Sequence, residues 1–135
     1  MTELVPVELI ERAFRSANGE CGWSREDARA VIRILSDSQR AVTGGEIWWV
    51  PEGAREWTGL IPQRNGPNAV YPWNTERAHG ESWGAFVERC ARESLTAVDR
   101  WPDISDLPDN LAGRILYNLT WASESQQQAL GEHAV

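Results

Sequence analysis

The strongest constraint on the fold is an apolar stripe between residues 83 and 101. Large apolar or small side chains recur there at the spacing of one helix face, over about five turns. They are Trp83, Phe86, Val87, Cys90, Ala91, Ser94, Leu95, Val98 and Trp101. Because a sheet or other helices must cover such a stripe, the pattern predicts a globular domain with Trp83 and Trp101 in its core.

Two further helices are predicted near the N-terminus. Pro6 occupies a first helical position, and apolar residues continue at helical spacing as far as Ala17, where Asn18-Gly19 predicts the end of the helix. The second helix begins at Ser24, which is followed by acidic residues that suit the positive end of a helix dipole. Its inner face continues to Leu35.

The middle of the chain favours strands, because it is rich in β-branched and aromatic residues. Residues 41–50 predict a strand, and Gly44-Gly45 within it indicates a bulge or a close approach of another backbone. Residues 56–61 predict a second strand and residues 69–73 a third. Because Pro72 cannot donate to a ladder, the third strand is expected at an edge or terminal position.

The last part of the chain allows two interpretations. Apolar and polar residues alternate between Ile115 and Trp121, which predicts a strand and would place Trp121 in the core. A helix over residues 109–121 also fits the spacing of its aliphatic residues, but the strand is favoured. The segment from about residue 123 is polar and is predicted to be a frayed tail.

These elements predict a single α+β domain over residues 1–135. Their order, α-α-β-β-β-α-β, indicates a small antiparallel sheet of about four strands packed with three helices. The sequence lacks the repeated βαβ alternation that a parallel sheet would need.

The charge balance disfavours two classes of partner. The chain carries 20 acidic residues against 13 Lys plus Arg, a formal net charge of −7, which opposes binding to nucleic acid and to an anionic membrane surface. A basic protein is the partner that this charge suits, since complementary charge speeds encounter. The alternative is that the charge serves solubility alone.

The sequence also lacks features of export. Its first residues do not have the pattern of a signal peptide, and no apolar run approaches the ~20 residues that cross a bilayer. Cys21 and Cys90 are far apart and outside any CxxC motif, so both are expected to be reduced. These features predict a cytoplasmic protein.

The reactive residues give little support for an enzyme. Only two histidines are present, His79 and His133, so the ligands of a familiar His and Cys metal site cannot be assembled. No nucleophile loop or phosphate-binding loop is recognisable. We therefore expect no catalytic residues, no metal and no cofactor, although a pair of the many carboxylates stays open as a hydrolytic site.

Tryptophan is unusually frequent, with eight residues, which is many for one small core because each buried indole N–H needs an acceptor. Trp48 and Trp49 are adjacent, so on a strand they point to opposite faces. Either a second layer covers the outer one or it is exposed. An exposed Trp beside acids is typical of protein recognition surfaces; a sheet packed on both faces and a sugar-stacking surface are the alternatives.

Four short motifs carry a resemblance to a known family. They are Trp23-Ser24-Arg25-Glu26-Asp27-Ala28, Gly44-Gly45-Glu46-Ile47-Trp48, Tyr71-Pro72-Trp73, and Gly80-Glu81-Ser82-Trp83 followed by Phe86-Val87. In these motifs the chain resembles the bacterial polymorphic-toxin immunity proteins of the Immunity protein 40 family. The resemblance implies a small cytosolic antidote that binds the catalytic domain of a cognate toxin and blocks it, and it transfers no catalytic residues.

An immunity function agrees with the charge and the indoles. Many effector toxins act on nucleic acid or nucleotides and have basic clefts, which an acidic inhibitor with aromatic anchors can fill. The expected toxin-binding residues are acids and surplus aromatics: Glu46, Trp48, Glu52, Glu56, Trp57, Asp103, Asp106 and Asp109. Two other functions stay open, an interaction adaptor from a phage or secretion locus and a small carboxylate-based enzyme.

Overall fold

The computed structural model describes residues 4–133, and side chains as far as residue 128. The helices are α1 (Val7–Arg12), α2 (Arg25–Asp37), α3 (Trp83–Arg100) and α4 (Glu124–His133), and the strands are β1 (Phe14–Arg15), β2 (Cys21–Gly22), β3 (Ala41–Pro51), β4 (Pro72–Asn74) and β5 (Gly113–Ala122). Each strand pairing is antiparallel. The predicted α+β class is confirmed.

The central sheet has three strands in the order β4-β3-β5. β3 and β5 pair along their whole length, from Ala41 opposite Ala122 to Pro51 opposite Gly113. The strand interpretation of the last part of the chain is therefore correct, and the competing helix is wrong. β4 lies at the edge of the sheet, as Pro72 predicts.

The paired glycines of β3 lie where two neighbours approach the backbone. The pairing of β3 with β5 shifts register between Val42 and Gly44, which is a bulge. A methyl group on Gly45 would lie 2.7 Å from the indole of Trp73, and closer still to the carbonyl oxygen of Asn118. Both a bulge and a close backbone approach are therefore present.

One face of the sheet packs on α2 and α3. Each helix begins at a serine whose hydroxyl accepts a backbone N–H, Ser24 from Asp27 and Ser82 from Ala85. The helices and the sheet share the main core, which includes Ala28, Val31, Ile32, Leu35, Ile47, Val98, Tyr117 and Leu119. Trp83 is buried as predicted.

A thinner second layer covers the opposite face of the sheet. Trp48 packs there with Val50 and Leu116, and Phe14 and Trp57 lie over it. Trp48 is fully buried. Of the two alternatives for the adjacent tryptophans, the covered arrangement is the correct one.

The first helix is shorter than predicted. It ends at Arg12 rather than near Ala17, because Phe14 leaves it to meet the ring of Trp48 edge-on, with centroids 6.2 Å apart. Residues 14–22 form the β1–β2 hairpin instead. Asn18-Gly19 lies in the turn of that hairpin, where Gly19 has a φ of +82° that favours glycine.

The predicted strand over residues 56–61 is wrong as a continuous element. β4 already occupies the edge of β3 from Gly44 to Glu46. Of residues 56–61, only Thr58 therefore pairs with β3, through an isolated bridge to Trp49. Further along, Ile61 pairs with Ala69 and starts a separate loop.

Three expectations for the C-terminal part also fail. The predicted frayed tail forms α4, because Ser123 and Gln126 make a capping box in which each side chain accepts the other's backbone N–H. Trp101 lies beyond α3 and is 44% exposed, and Trp121 is 37% exposed, so neither is a core residue.

Within residues 4–133, no helix has the length and apolarity needed to span a bilayer.

Candidate functional site

The loop between α3 and β5 presents the most exposed large hydrophobic side chain of the described residues. We call residues 101–109 the Ile104 loop, because Ile104 is 83% exposed in it. Ile104 begins a single 3-10 turn that ends at Asp106. The carboxylate of Asp103 accepts hydrogen bonds from the backbone N–H of Ser105 at 2.9 Å and from the Ser105 hydroxyl at 2.8 Å. These bonds lower the pKa of Asp103.

Arg64 fixes the far half of the Ile104 loop. Its Nε donates to the carbonyl oxygen of Ser105 at 3.1 Å, and its backbone N–H donates to that of Asp106 at 2.7 Å. Its guanidinium also pairs with Asp109, which lowers the pKa of that carboxyl. One residue from a distant segment therefore holds the loop at three positions, two through its side chain and one through its backbone.

Arg25 and Tyr117 fix the near end of the loop. The Tyr117 hydroxyl donates to the carbonyl oxygen of Trp101 at 2.6 Å and accepts from Arg25 at 2.8 Å. Arg25 Nε also donates to the carbonyl oxygen of Val98, in the last turn of α3, at 2.8 Å. Tyr117 is buried, and this burial raises its pKa. The Ile104 loop is thus anchored at both ends by hydrogen bonds.

Three clefts adjoin Ile104. Two of them, of about 260 and 310 Å³, also share Leu107 and Ile115 and are mostly apolar. The third, of about 720 Å³, is lined by charged residues, among them Asp99, Arg100, Asp103 and Asp106. The loop therefore combines an apolar ridge with a charged rim, and an apolar centre within a polar rim is the general composition of protein interfaces.

The three predicted aspartates do lie together in this loop, but its charge is not purely acidic. Asp109 pairs with Arg64, and Asp99, next to the loop, pairs with Arg29. Asp103 and Asp106 are exposed and make no ion pair with any described residue. Of the three predicted aspartates, only Asp103 and Asp106 therefore have carboxylates without an ion pair to a described residue.

Trp48 was expected at the binding surface, and this expectation is wrong. Its indole is fully buried and stacks on that of Trp57, with ring centroids 4.3 Å apart and planes 8° apart. Its Nε1 donates to Glu46 Oε1 at 3.1 Å. Burial of the indole needed a partner for its N–H, and Glu46 supplies it.

Of the other predicted residues, three lie around Trp48 and the β1–β2 hairpin, and the fourth lies just after β3. Glu46 and Trp57 are half-buried beside Trp48, and exposed Glu56 accepts the backbone N–H of Ala17 in the β1–β2 hairpin. Exposed Glu52 follows the end of β3. The Ile104 loop instead shares its two apolar clefts with Ile115, which packs against the core of the helix-covered face. Since alternate residues of a strand face opposite ways, the eight predicted residues do not form one surface.

Sequence reasoning missed the apolar and cationic members of the site. The apolar stripe of residues 83–101 predicts Trp101 in the core, and no pattern in the sequence marks Ile104, Leu107 or Arg64 as site residues. An isoleucine and a leucine within a loop of Asp and Pro residues were the available signal. The role of Arg64 had no local signal, because it contacts residues about 40 positions away.

The two cysteine thiols lie outside the Ile104 loop. Burial raises the pKa of the Cys90 thiol to about 12, and burial also raises that of Cys21, which makes both poor nucleophiles at neutral pH. Across the described part of the chain, no three His, Cys, Asp or Glu residues are placed to hold a metal ion.

Comparison with models of known protein families, with curated proteins and with solved structures finds no match to this chain.

Proposed function

We propose that this protein is an immunity protein, which binds the catalytic domain of a cognate toxin through the Ile104 loop and blocks it. The proposal depends on one observation: Ile104 is 83% exposed on a loop that Arg64, Arg25 and Tyr117 fix through hydrogen bonds. A single exposed aliphatic side chain is common on protein surfaces, but Trp101, which is 44% exposed, lines the same cleft as Ile104. Together they form an apolar surface that suits a partner able to cover it.

The charge of the whole molecule supports a basic partner. A net charge of −7 attracts a positively charged domain over distances at which no single contact acts. Asp103 and Asp106 then provide free carboxylates beside the apolar ridge. The cytoplasmic location that the sequence predicts is where such an antidote would meet a toxin produced in the same cell.

Co-expression tests the proposal directly. The chain is produced with the catalytic domain of a toxin encoded beside its gene, and survival and complex formation are scored. Ile104→Asp should abolish rescue, whereas Val7→Asp, which changes an aliphatic residue that is 53% exposed on α1, should rescue like the wild type. Equal rescue by both variants would remove the Ile104 loop from the proposal, and absence of rescue by the wild type would remove the immunity function.

Cross-linking locates the interface without a mutation. All 13 cationic side chains of this protein are arginine and none is lysine. A carbodiimide therefore joins its carboxylates to lysine amines of a bound partner and makes no Asp-to-Lys or Glu-to-Lys link within the chain. In the toxin complex, the linked peptides should contain Asp103 or Asp106 more often than Glu88, which is also exposed.

A further inference from the structure

We propose that the Ile104 loop is a two-slot receptor. The partner inserts one bulky apolar side chain on each side of a ridge formed by Ile104 and Leu107, and it places a Lys or Arg against Asp103 and Asp106. This inference rests on the proposed binding of a basic protein, and it specifies the chemistry of the segment that is bound.

The dimensions of the two apolar clefts support side chains as their occupants. They measure about 260 and 310 Å³ and lie on either side of the same residues, Ile104, Leu107 and Ile115. Pockets for cofactors and drug-sized ligands are generally about 300–1,000 Å³. Each slot is therefore at the lower limit for a separate small molecule, whereas two adjacent slots suit two side chains of one segment.

The floor of the first slot favours an apolar occupant. The Tyr117 hydroxyl, which lines this slot, already donates to Trp101 and accepts from Arg25. The exposed lining of the slot is mostly apolar. An entering polar group would lose water and find few partners, so an aromatic or aliphatic side chain is preferred.

The charges at the rim select a cation beside those apolar groups. Asp99 and Asp109 are neutralised by Arg29 and Arg64, which leaves Asp103 and Asp106 to meet an incoming Lys or Arg. The hydrogen bonds from Ser105 lower the pKa of Asp103, so that carboxylate stays ionised at neutral pH. Of the two arginines that line the charged cleft, Arg25 keeps its charge, but its Nε and Nη2 already donate to the carbonyl oxygens of Val98 and Trp101 and to the Tyr117 hydroxyl.

Exposed Arg100 is the remaining cation of that cleft. It should oppose a basic segment, because like charges at this range repel. Arg100→Ala is therefore expected to strengthen binding of a basic peptide. If the site instead prefers an acidic segment, the same substitution should weaken binding of the acidic peptide, and that result would contradict the proposal.

Two matched peptides test the two-slot receptor. The isotope-labelled full chain is titrated with acetyl-Gly-Arg-Trp-Gly-Lys-Leu-Gly-amide and with the same peptide carrying Glu in place of Arg and Lys, and amide shifts are followed by NMR. The basic peptide should bind at least tenfold more tightly and shift Ile104, Leu107 and Ile115. Ile104→Asp should remove this binding, and Val7→Asp should not.

Replacing Trp and Leu of the basic peptide with Ala separates the slots from simple charge attraction. Binding should fall at least tenfold. Equal binding of the Ala peptide, equal binding of the acidic peptide, or shifts confined to other surfaces would each overturn the two-slot receptor. A toxin complex that is insensitive to Ile104→Asp would overturn it while leaving immunity intact. Peptide binding without toxin rescue would instead reject immunity alone.

Discussion

Trp48 determines the structure of two segments that are distant from it in sequence. Phe14 leaves α1 to pack against its edge, and Trp57 stacks on its face. Glu46 accepts its indole N–H. The half-buried residues that were expected to bind a partner thus have a structural role, which is to close the second face of the sheet.

Truncation of the stacked pair should show this role. Trp48→Ala should lower the free energy of unfolding by about 3–5 kcal/mol, the usual cost of removing a buried Trp. Trp57→Ala should cost less, because Trp57 is only half-buried. Urea denaturation followed by circular dichroism measures both changes. The exposed Trp121→Ala is the control, and a loss at Trp121 as large as at Trp48 would contradict the two-layer arrangement.

At the scale of single elements, β3 depends on its glycines. Gly45→Ala places a methyl group against the Trp73 indole and the Asn118 carbonyl, and overpacking of this kind costs about 1–3 kcal/mol. Gly84→Ala is the matched control, since it lies in α3 with no atom near the added carbon. That substitution should leave stability unchanged or raise it by up to about 1 kcal/mol, because Ala favours a helix. Equal denaturation midpoints for the two variants would contradict the close approach at Gly45.

The loop before α3 is joined to that helix by an ion pair that depends on pH. Arg89 donates hydrogen bonds to both carboxylate oxygens of Glu81, at 2.9 and 2.8 Å, and the backbone N–H of Ala78 donates a third. These bonds lower the pKa of Glu81 from its usual value near 4.5 to about 2. Because the folded-state pKa is the lower one, Glu81 stabilises the fold above pH 4.5, and this contribution is lost as the pH falls towards 2.

Glu81→Gln should therefore be less stable than the wild type at neutral pH, and the difference should shrink between about pH 4.5 and 2. Urea midpoints measured across that range give the comparison. Glu88→Gln, on the exposed side of α3, should differ little from the wild type at any pH. A Glu81→Gln deficit that stays constant down to pH 2 would show that the carboxylate charge is not the source of the stabilisation.

The same elements show what a sequence can predict. The apolar periodicity of α3 and of β5 lies within their own residues, so the sequence predicts both elements. The end of α1 and the missing strand at residues 56–61 depend on contacts with Trp48 and on the edge of β3 already being occupied by β4. Such contacts join residues far apart in the chain, and no local pattern encodes them.

The candidate site had the same limit. The acids of the Ile104 loop are recognisable as a group, but the pairing of Asp109 with Arg64, and of the neighbouring Asp99 with Arg29, is not. Ile104 followed no periodic pattern that would mark it as exposed. Its exposure follows from its position on a loop that Arg64 and Arg25, both distant in sequence, hold by hydrogen bonds.

At the scale of the whole molecule, the net charge and the charges of the Ile104 loop should affect different steps of toxin binding. Asp106→Lys and Glu88→Lys each change the net charge by two, from −7 to −5. Asp106 lies on the Ile104 loop, whereas Glu88 lies on the exposed side of α3. Long-range attraction depends on total charge, so the two variants should slow toxin association similarly at low salt.

The dissociation rate should separate the two variants. Asp106→Lys puts a cation where a basic partner is expected to bind, so its complex should also dissociate at least tenfold faster, while that of Glu88→Lys should dissociate like the wild type. Stopped-flow association and surface-based dissociation, each at low salt and at 0.5 M NaCl, give both rates. The association differences should vanish at high salt, where the screening length is only a few ångströms. The dissociation difference should persist in part, because contact pairs are screened less. Equal dissociation of the two complexes would place the interface away from the Ile104 loop.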